Sequence, residues 1–326
     1  MRLNLHSHLE GRLRPATAAE LAAEAGVPAP AGGWEKALQL GGPADLTVYL
    51  TKVAATYPFF RSPQHIARIT CEAVEDAAAD GTDYQELRFG PATHMHMGFP
   101  MDSVMAAACD GLTEGMRRTG IAAGLVIAAL RHHEEAINVE VARAATRFAG
   151  RGVVGFDLAG DESRFNNLAQ YEKAFAIARA AGLGLTCHAA EAAPGSAARE
   201  AVERFGVTRV GHGAHLAEDV DALTWVRDHG IVVECCPTSN WYTGAIRRRA
   251  EHPARYFRDQ KLEIVLGDDN PMQTRSLLSN ERHVLSQELG FSERDLEELD
   301  RVSVQAAFLE KSTREEFSSP LRRNRT

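Results

Sequence analysis

Eight short apolar runs, separated by stretches with helical spacing, most narrowly limit what this chain can fold into. They fall at 3–6, 84–89, 123–130, 153–158, 183–188, 208–211, 231–236 and 262–267. The segments between them carry helix signals. In TAAELAAEAG (17–26), Thr17 and Glu20 have capping-box spacing and Gly26 supplies a stop, while 166–182, 219–230 and 276–289 place apolar residues at helical intervals. Strand–helix alternation predicts an α/β fold, and eight units predict a closed (β/α)8 TIM barrel, although an open doubly wound sheet satisfies the same alternation. No repeat or linker divides the chain, so 1–317 is expected to form a single domain with 318–326 as a mobile tail. The first strand-to-strand connection is long, and its Gly- and Pro-rich part, APAGGWEKALQLGGP (29–43), is placed to cover a site.

Composition removes several classes of function. The net charge of −8 and a pI near 5.9 leave no broad basic surface for a phosphate backbone, so nucleic acid is not an expected partner. Arg247, Arg248 and Arg249 read as a solvated face. The five cysteines are odd in number and form no CxxC pair, which suits a reducing compartment. No basic-then-apolar leader precedes the first strand, and even IAAGLVIAAL (121–130) is too short to span a bilayer. A cytoplasmic protein with no membrane partner is expected; oligomeric state is not legible.

In a barrel, chemistry sits at the carboxyl ends of the strands. There the sequence places His6 and His8 after strand one, His188 after strand five, His212 after strand six, and Asp268 and Asp269 after strand eight. Side chains at i and i+2 share a face of a strand, so His6 and His8 can hold one ion, with His188 and Asp268 completing a set suited to Zn²⁺. Glu191, in HAAE (188–191), is positioned as a general acid. His212, between glycines in GHG, is expected to act as base or charge stabiliser, and Asp269 to accept a hydrogen bond from substrate. Each piece alone has a bland reading: an HxH is often two polar residues at a strand end, and Asp-Asp is often a turn. His94 and His96 form a second HxH with no matching partners, and read as loop or pocket lining. His132, His133 and His215 are read the same way.

Taken together, LHSHLEGRLRP (5–15), ELRFGP (86–91), GFDLAGDE (155–162), HAAE (188–191), RVGHG (209–213), CPTSN (236–240) and LGDDNP (266–271) resemble the adenosine deaminase family of the amidohydrolase superfamily. The resemblance implies a metal-dependent hydrolase barrel with one zinc per chain on His6, His8, His188 and Asp268. It also implies Glu191 as proton donor and His212 as the catalytic histidine. Substrate contacts fall on His8, Glu10, Gly160 and Asp269, with Gly160 N–H meeting purine N3, Asp269 the N7 side and Glu10 the ribose. The implied reaction is hydrolytic deamination of a 6-aminopurine nucleoside to the 6-oxopurine and ammonia.

Four positions depart from the family pattern. Glu10 stands where Asp is usual, HAAE replaces HAGE, GDDNP replaces TDDP, and His215 replaces a common Arg. The longer Glu10 makes adenine or a 5′-modified adenosine an alternative substrate. A binuclear centre would need a carboxylated lysine from strand four, and none is there. A non-catalytic purine-binding protein is the remaining reading, yet every ligand position and Glu191 are retained.

Overall fold

The computed structural model describes residues 1–309 and 311–318. The expected tail therefore lies outside the described residues, except that Ser318 closes the last helix, Lys311–Ser318.

Eight parallel strands form one sheet in sequential order: β1 (Leu3–His8), β2 (Tyr84–Phe89), β3 (Ala122–Leu130), β4 (Val153–Ala159), β5 (Gly184–Ala189), β6 (Arg209–His212), β7 (Val232–Cys235) and β8 (Ile264–Leu266). Each strand pairs with the next, and helices fill the connections. The sheet returns to β1 through a bridge between Ser7 and Asp269. There His8 N–H donates to Asp269 O at 2.7 Å and Asp269 N–H to His6 O at 2.9 Å. Closure thus happens at the very residues expected to carry chemistry, so folding the barrel brings the two histidines beside the second aspartate.

That seam tolerates no bulk. A Cβ at Gly267 would lie 2.4 Å from His6 Cβ and 2.5 Å from His6 O, which is backbone and cannot swing away. Gly267→Ala is expected to cost about 3 kcal/mol through overpacking, read as a lower denaturant midpoint. A cost below about 1 kcal/mol would mean that β1 and β8 part easily here.

The helices follow the expected spacing, with one correction at the first. It runs Pro15–Glu24, one turn's lead set by Pro15 at its first position, and no side chain caps it. Thr17 and Glu20 do not form a capping box: Thr17 donates its hydroxyl to Glu72 at 2.6 Å, and Glu20 pairs with Arg68. Gly26 does adopt a left-handed φ of 68° and ends the helix. The long first connection folds into helices, of which Leu46–Ala54 leans over the carboxyl end of the barrel.

Beneath the site the barrel interior is polar rather than aliphatic. Arg88 and Arg209, both fully buried, are threaded among Glu86, Asp157 and Glu234. Arg88 reaches Asp157 at 3.1 Å and Glu234 at 2.9 Å, and Arg209 reaches Glu234 at 2.7 Å. Burying so many charges is tolerable only because every one is paired. Among the described residues, no helix is long and apolar enough to cross a membrane.

Candidate active site

The strands deliver their polar ends to one cavity of about 330 Å³, lined by His8, Glu10, Gly160, His188, Glu191, His212 and Asp269 among others. His6 lies fully buried at its floor.

Two of the imidazoles are aimed from behind. His6 Nδ1 lies 2.7 Å from Glu234 Oε2, and His188 Nδ1 lies 3.0 Å from Asp157 Oδ2. Carboxylates on both Nδ1 atoms fix protons there and leave the Nε2 lone pairs facing inward. His8 Nε2 and His188 Nε2 then sit 3.1 Å apart, and His6 Nε2 has no hydrogen-bond partner although buried. Converging lone pairs of this kind suit a cation. Asp269 Oδ1 approaches the same space, 3.6 Å from His6 Nε2 and 3.4 Å from His8 Nε2.

The expected fourth ligand, Asp268, is not part of this cluster. Its carboxylate is turned the other way and is taken by the guanidinium of Arg12, itself buried in the turn that follows β1. Arg12 also donates to Ser7 at 2.8 Å. The reason is local: Asp269, not Asp268, makes the backbone bridge to β1, and its left-handed φ of 56° swings the carboxylate beneath the histidines. The Asp269 carboxylate thus occupies the place beside His6 and His8 that was expected of Asp268. Asn270 lines the cavity and donates from Nδ2 to Asp269 Oδ1 at 2.8 Å. Gly11 makes room for it, since a Cβ there would lie 2.5 Å from Asn270.

Glu191 is buried, and burial together with the charges of Asp269 and Glu162 raises its pKa well above the usual carboxylate range. Burial of this kind favours the neutral carboxyl. Its backbone is held by Glu162, whose carboxylate accepts from the N–H groups of Ala190, Glu191 and Ala192 at 2.9–3.0 Å. His212 stands across from it with φ 65°, and Ala190 has φ 56°, so three of the five non-glycine residues with left-handed backbone among those described lie at this site. Local strain of this kind persists where a surrounding frame over-determines the geometry.

Several participants were not singled out from sequence. His94, read as loop or pocket lining, is fully buried, stacked on Phe60 at 4.3 Å, and bonded through Nε2 to Glu10 Oε1 at 3.0 Å. Tyr49, from the helix Leu46–Ala54, and Ser239 both donate to Asp269 Oδ2, at 2.9 and 2.5 Å. Asn240 and Thr243 contact Glu191. Glu162, Ser239 and Asn240 lay inside quoted motifs, whereas no pattern marked Tyr49. His132 lines the cavity wall, and His215 pairs with Glu218 away from it.

A (β/α)8 barrel whose imidazoles and carboxylates converge at the ends of β1, β5, β6 and β8 is, as a class, an enzyme barrel with a cluster able to hold a metal ion. The sequence pattern described as Adenosine deaminase matches residues 2–323. An adenosine deaminase of Clostridium perfringens is 30% identical over 320 residues, covering 97% of this chain and 96% of that one. An adenine deaminase of Rhizobium johnstonii is 32% identical over 313 residues, covering 96% of each. The N6-methyl-AMP deaminase of Arabidopsis thaliana superposes with a TM-score of 0.85 at 25% identity, covering 97% of this chain and 94% of its own. The chain belongs to the adenosine deaminase family and is a hydrolytic deaminase acting on a cyclic amidine.

Proposed function

We propose that this enzyme deaminates a 6-aminopurine nucleoside, adenosine or deoxyadenosine-like, to the 6-oxopurine and ammonia, with one Zn²⁺ held by His6, His8, His188 and Asp269. What carries this reading is the convergence of three imidazoles and one carboxylate beside a buried glutamate whose pKa is raised, in a single cavity. When bound, the zinc lowers the pKa of a water molecule it ligates and so supplies a nucleophile at neutral pH. Glu191 gives its proton to purine N1 next to the carbon under attack, which neutralises the charge that builds on the ring. Gly160 N–H faces N3 and the Asn270 amide faces N7. Glu10, held by His94 and by Gly90 N–H at 3.3 Å, takes the sugar hydroxyls.

The cavity favours a nucleoside over a free base. Beyond the polar floor it continues past Leu46, Thr47, Leu50, Arg164 and Phe165, leaving space that adenine would not fill. A 5′-modified adenosine is the alternative that this space also admits. Ammonia release by the zinc-loaded protein from adenosine, 2′-deoxyadenosine, adenine, AMP and 5′-modified adenosines is the test. A preference for nucleosides of at least about tenfold in kcat/KM over adenine is expected, matching lost contacts of about 1.4 kcal/mol. Purine binding without ammonia release from any member would restore the non-catalytic reading, and activity confined to pterins or cytosine would overturn the purine assignment.

A further inference from the structure

One backbone N–H, remote from the cavity, dictates where protons sit on two catalytic groups. Ala254 N–H donates to His252 Nδ1 at 3.1 Å, and a main-chain donor cannot be reversed. His252 therefore carries its single proton on Nε2, which lies 3.1 Å from Asn240 Oδ1. Burial of His252, which pushes its pKa down to about 3, keeps the ring neutral. With Oδ1 committed as acceptor, the amide orientation of Asn240 is set, and its Nδ2 faces forward. That NH₂ group meets His212 Nδ1 at 3.0 Å and Glu191 Oε1 at 3.3 Å, one hydrogen for each. Thr243 adds a second donor to Glu191 Oε1 at 3.0 Å. His252, Asn240, His212 and Glu191 are all buried, so water cannot repair a reversed bond.

We propose that Ala254 N–H, His252 and Asn240 form a fixed donor relay that holds His212 as the Nε2–H tautomer and directs the proton of Glu191 onto Oε2. His252 and Asn240 are thus positioning residues. The relay also separates two possible metal sets. His212, His6 and Asp269 lie close enough together to form a triad, but a ring nitrogen that carries a proton cannot ligate, so His212 stays outside the coordination shell. His212 would meet the reacting water as a donor that orients it, and the carboxylate of Asp269, which faces the same space, is the group left to take the water's proton. On the acid side, an oxygen accepting two hydrogen bonds leaves the other oxygen of Glu191 as the one that hands a proton to substrate. Only these catalytic consequences rest on the deaminase reading; the tautomer belongs to the folded chain itself.

Long-range ¹H–¹⁵N correlation of selectively labelled histidine, in zinc-free and zinc-loaded protein, reads the tautomer of His212 directly. The wild type is expected to show Nε2–H. His252→Leu breaks the relay and is expected to give mixed tautomers with kcat lowered about 10–100-fold, the usual range for losing an outer partner, and KM nearly unchanged. His252→Gln can donate its amide N–H to Asn240 and accept from Ala254, so tautomer and kcat recover to within about threefold, a loss of less than 1 kcal/mol. Asn240→Asp, which only accepts, is expected to draw the proton to Nδ1 and to depress kcat at least as far as His252→Leu. A wild-type His212 with Nδ1–H, or a folded His252→Leu with unaltered tautomer and kcat, overturns the relay. An Nε2–H His212 in a protein that deaminates nothing leaves the relay standing and removes the proposed function instead.

Discussion

Glu191→Gln is expected to keep its zinc and lose its turnover. The side chain is isosteric, keeps the oxygen that Asn240 and Thr243 address, and stands outside the His6, His8 and His188 group that could hold the ion. Loss of a positioned general acid costs 10²–10⁴-fold, so kcat is expected to fall by about 10³-fold or more. His188→Ala, by contrast, removes an inward-facing imidazole and loses both zinc and activity. Zinc by metal analysis and kcat by ammonia release separate the two cases; equal zinc loss would make Glu191 a ligand. The pH dependence has a definite sign. Burial, Asp269 and Glu162 raise the pKa of Glu191, so its acid form persists to higher pH than that of a free carboxyl and disappears as pH climbs through the raised value. Wild-type kcat is expected to decline on that alkaline limb, and the residual rate of Glu191→Gln is expected to lack it.

What could be read from the sequence divides along a physical line. Strand count and order were legible because buried parallel strands read as apolar runs, and the bounds of β2 matched the run at 84–89. His6, His8, His188, Glu191 and His212 were legible because each follows a run at the end where barrels keep their chemistry, and all five meet at one site. Two kinds of feature were not legible. One is any contact supplied by another segment: His94 looked partnerless because its partner, Glu10, is 84 residues away, and Tyr49 reaches Asp269 across 220. The capping box failed for the same reason, since Thr17 found Glu72 in a neighbouring helix. The other is register. Two adjacent aspartates differ only in which one makes the closing bridge to β1, and no spacing within LGDDNP announces that.

That register yields the second large effect. Asp269→Asn is expected to weaken zinc binding by more than 100-fold in chelator competition and to abolish activity, because it removes the one carboxylate that, among the described residues, approaches the Nε2 atoms of His6 and His8. Asp268→Asn is expected to do something different. It leaves the Arg12 guanidinium buried without its counter-charge, a situation that costs about 3–5 kcal/mol, so the variant melts early while its folded fraction keeps zinc and turns over within about tenfold of wild type. Replacing both partners, Arg12→Met with Asp268→Asn, removes the orphaned charge and is expected to regain part of that loss, since no ion is then left buried without its partner. The two carboxylates are thereby separated by readout: zinc affinity follows Asp269, and unfolding midpoint follows Asp268. If zinc instead leaves with Asp268→Asn and stays with Asp269→Asn, the ligand is the first aspartate after β8 and Asp269 returns to the substrate side. The loop then has to turn by one residue when it binds metal, breaking the Arg12 pair and the Ser7–Asp269 bridge that closes the barrel.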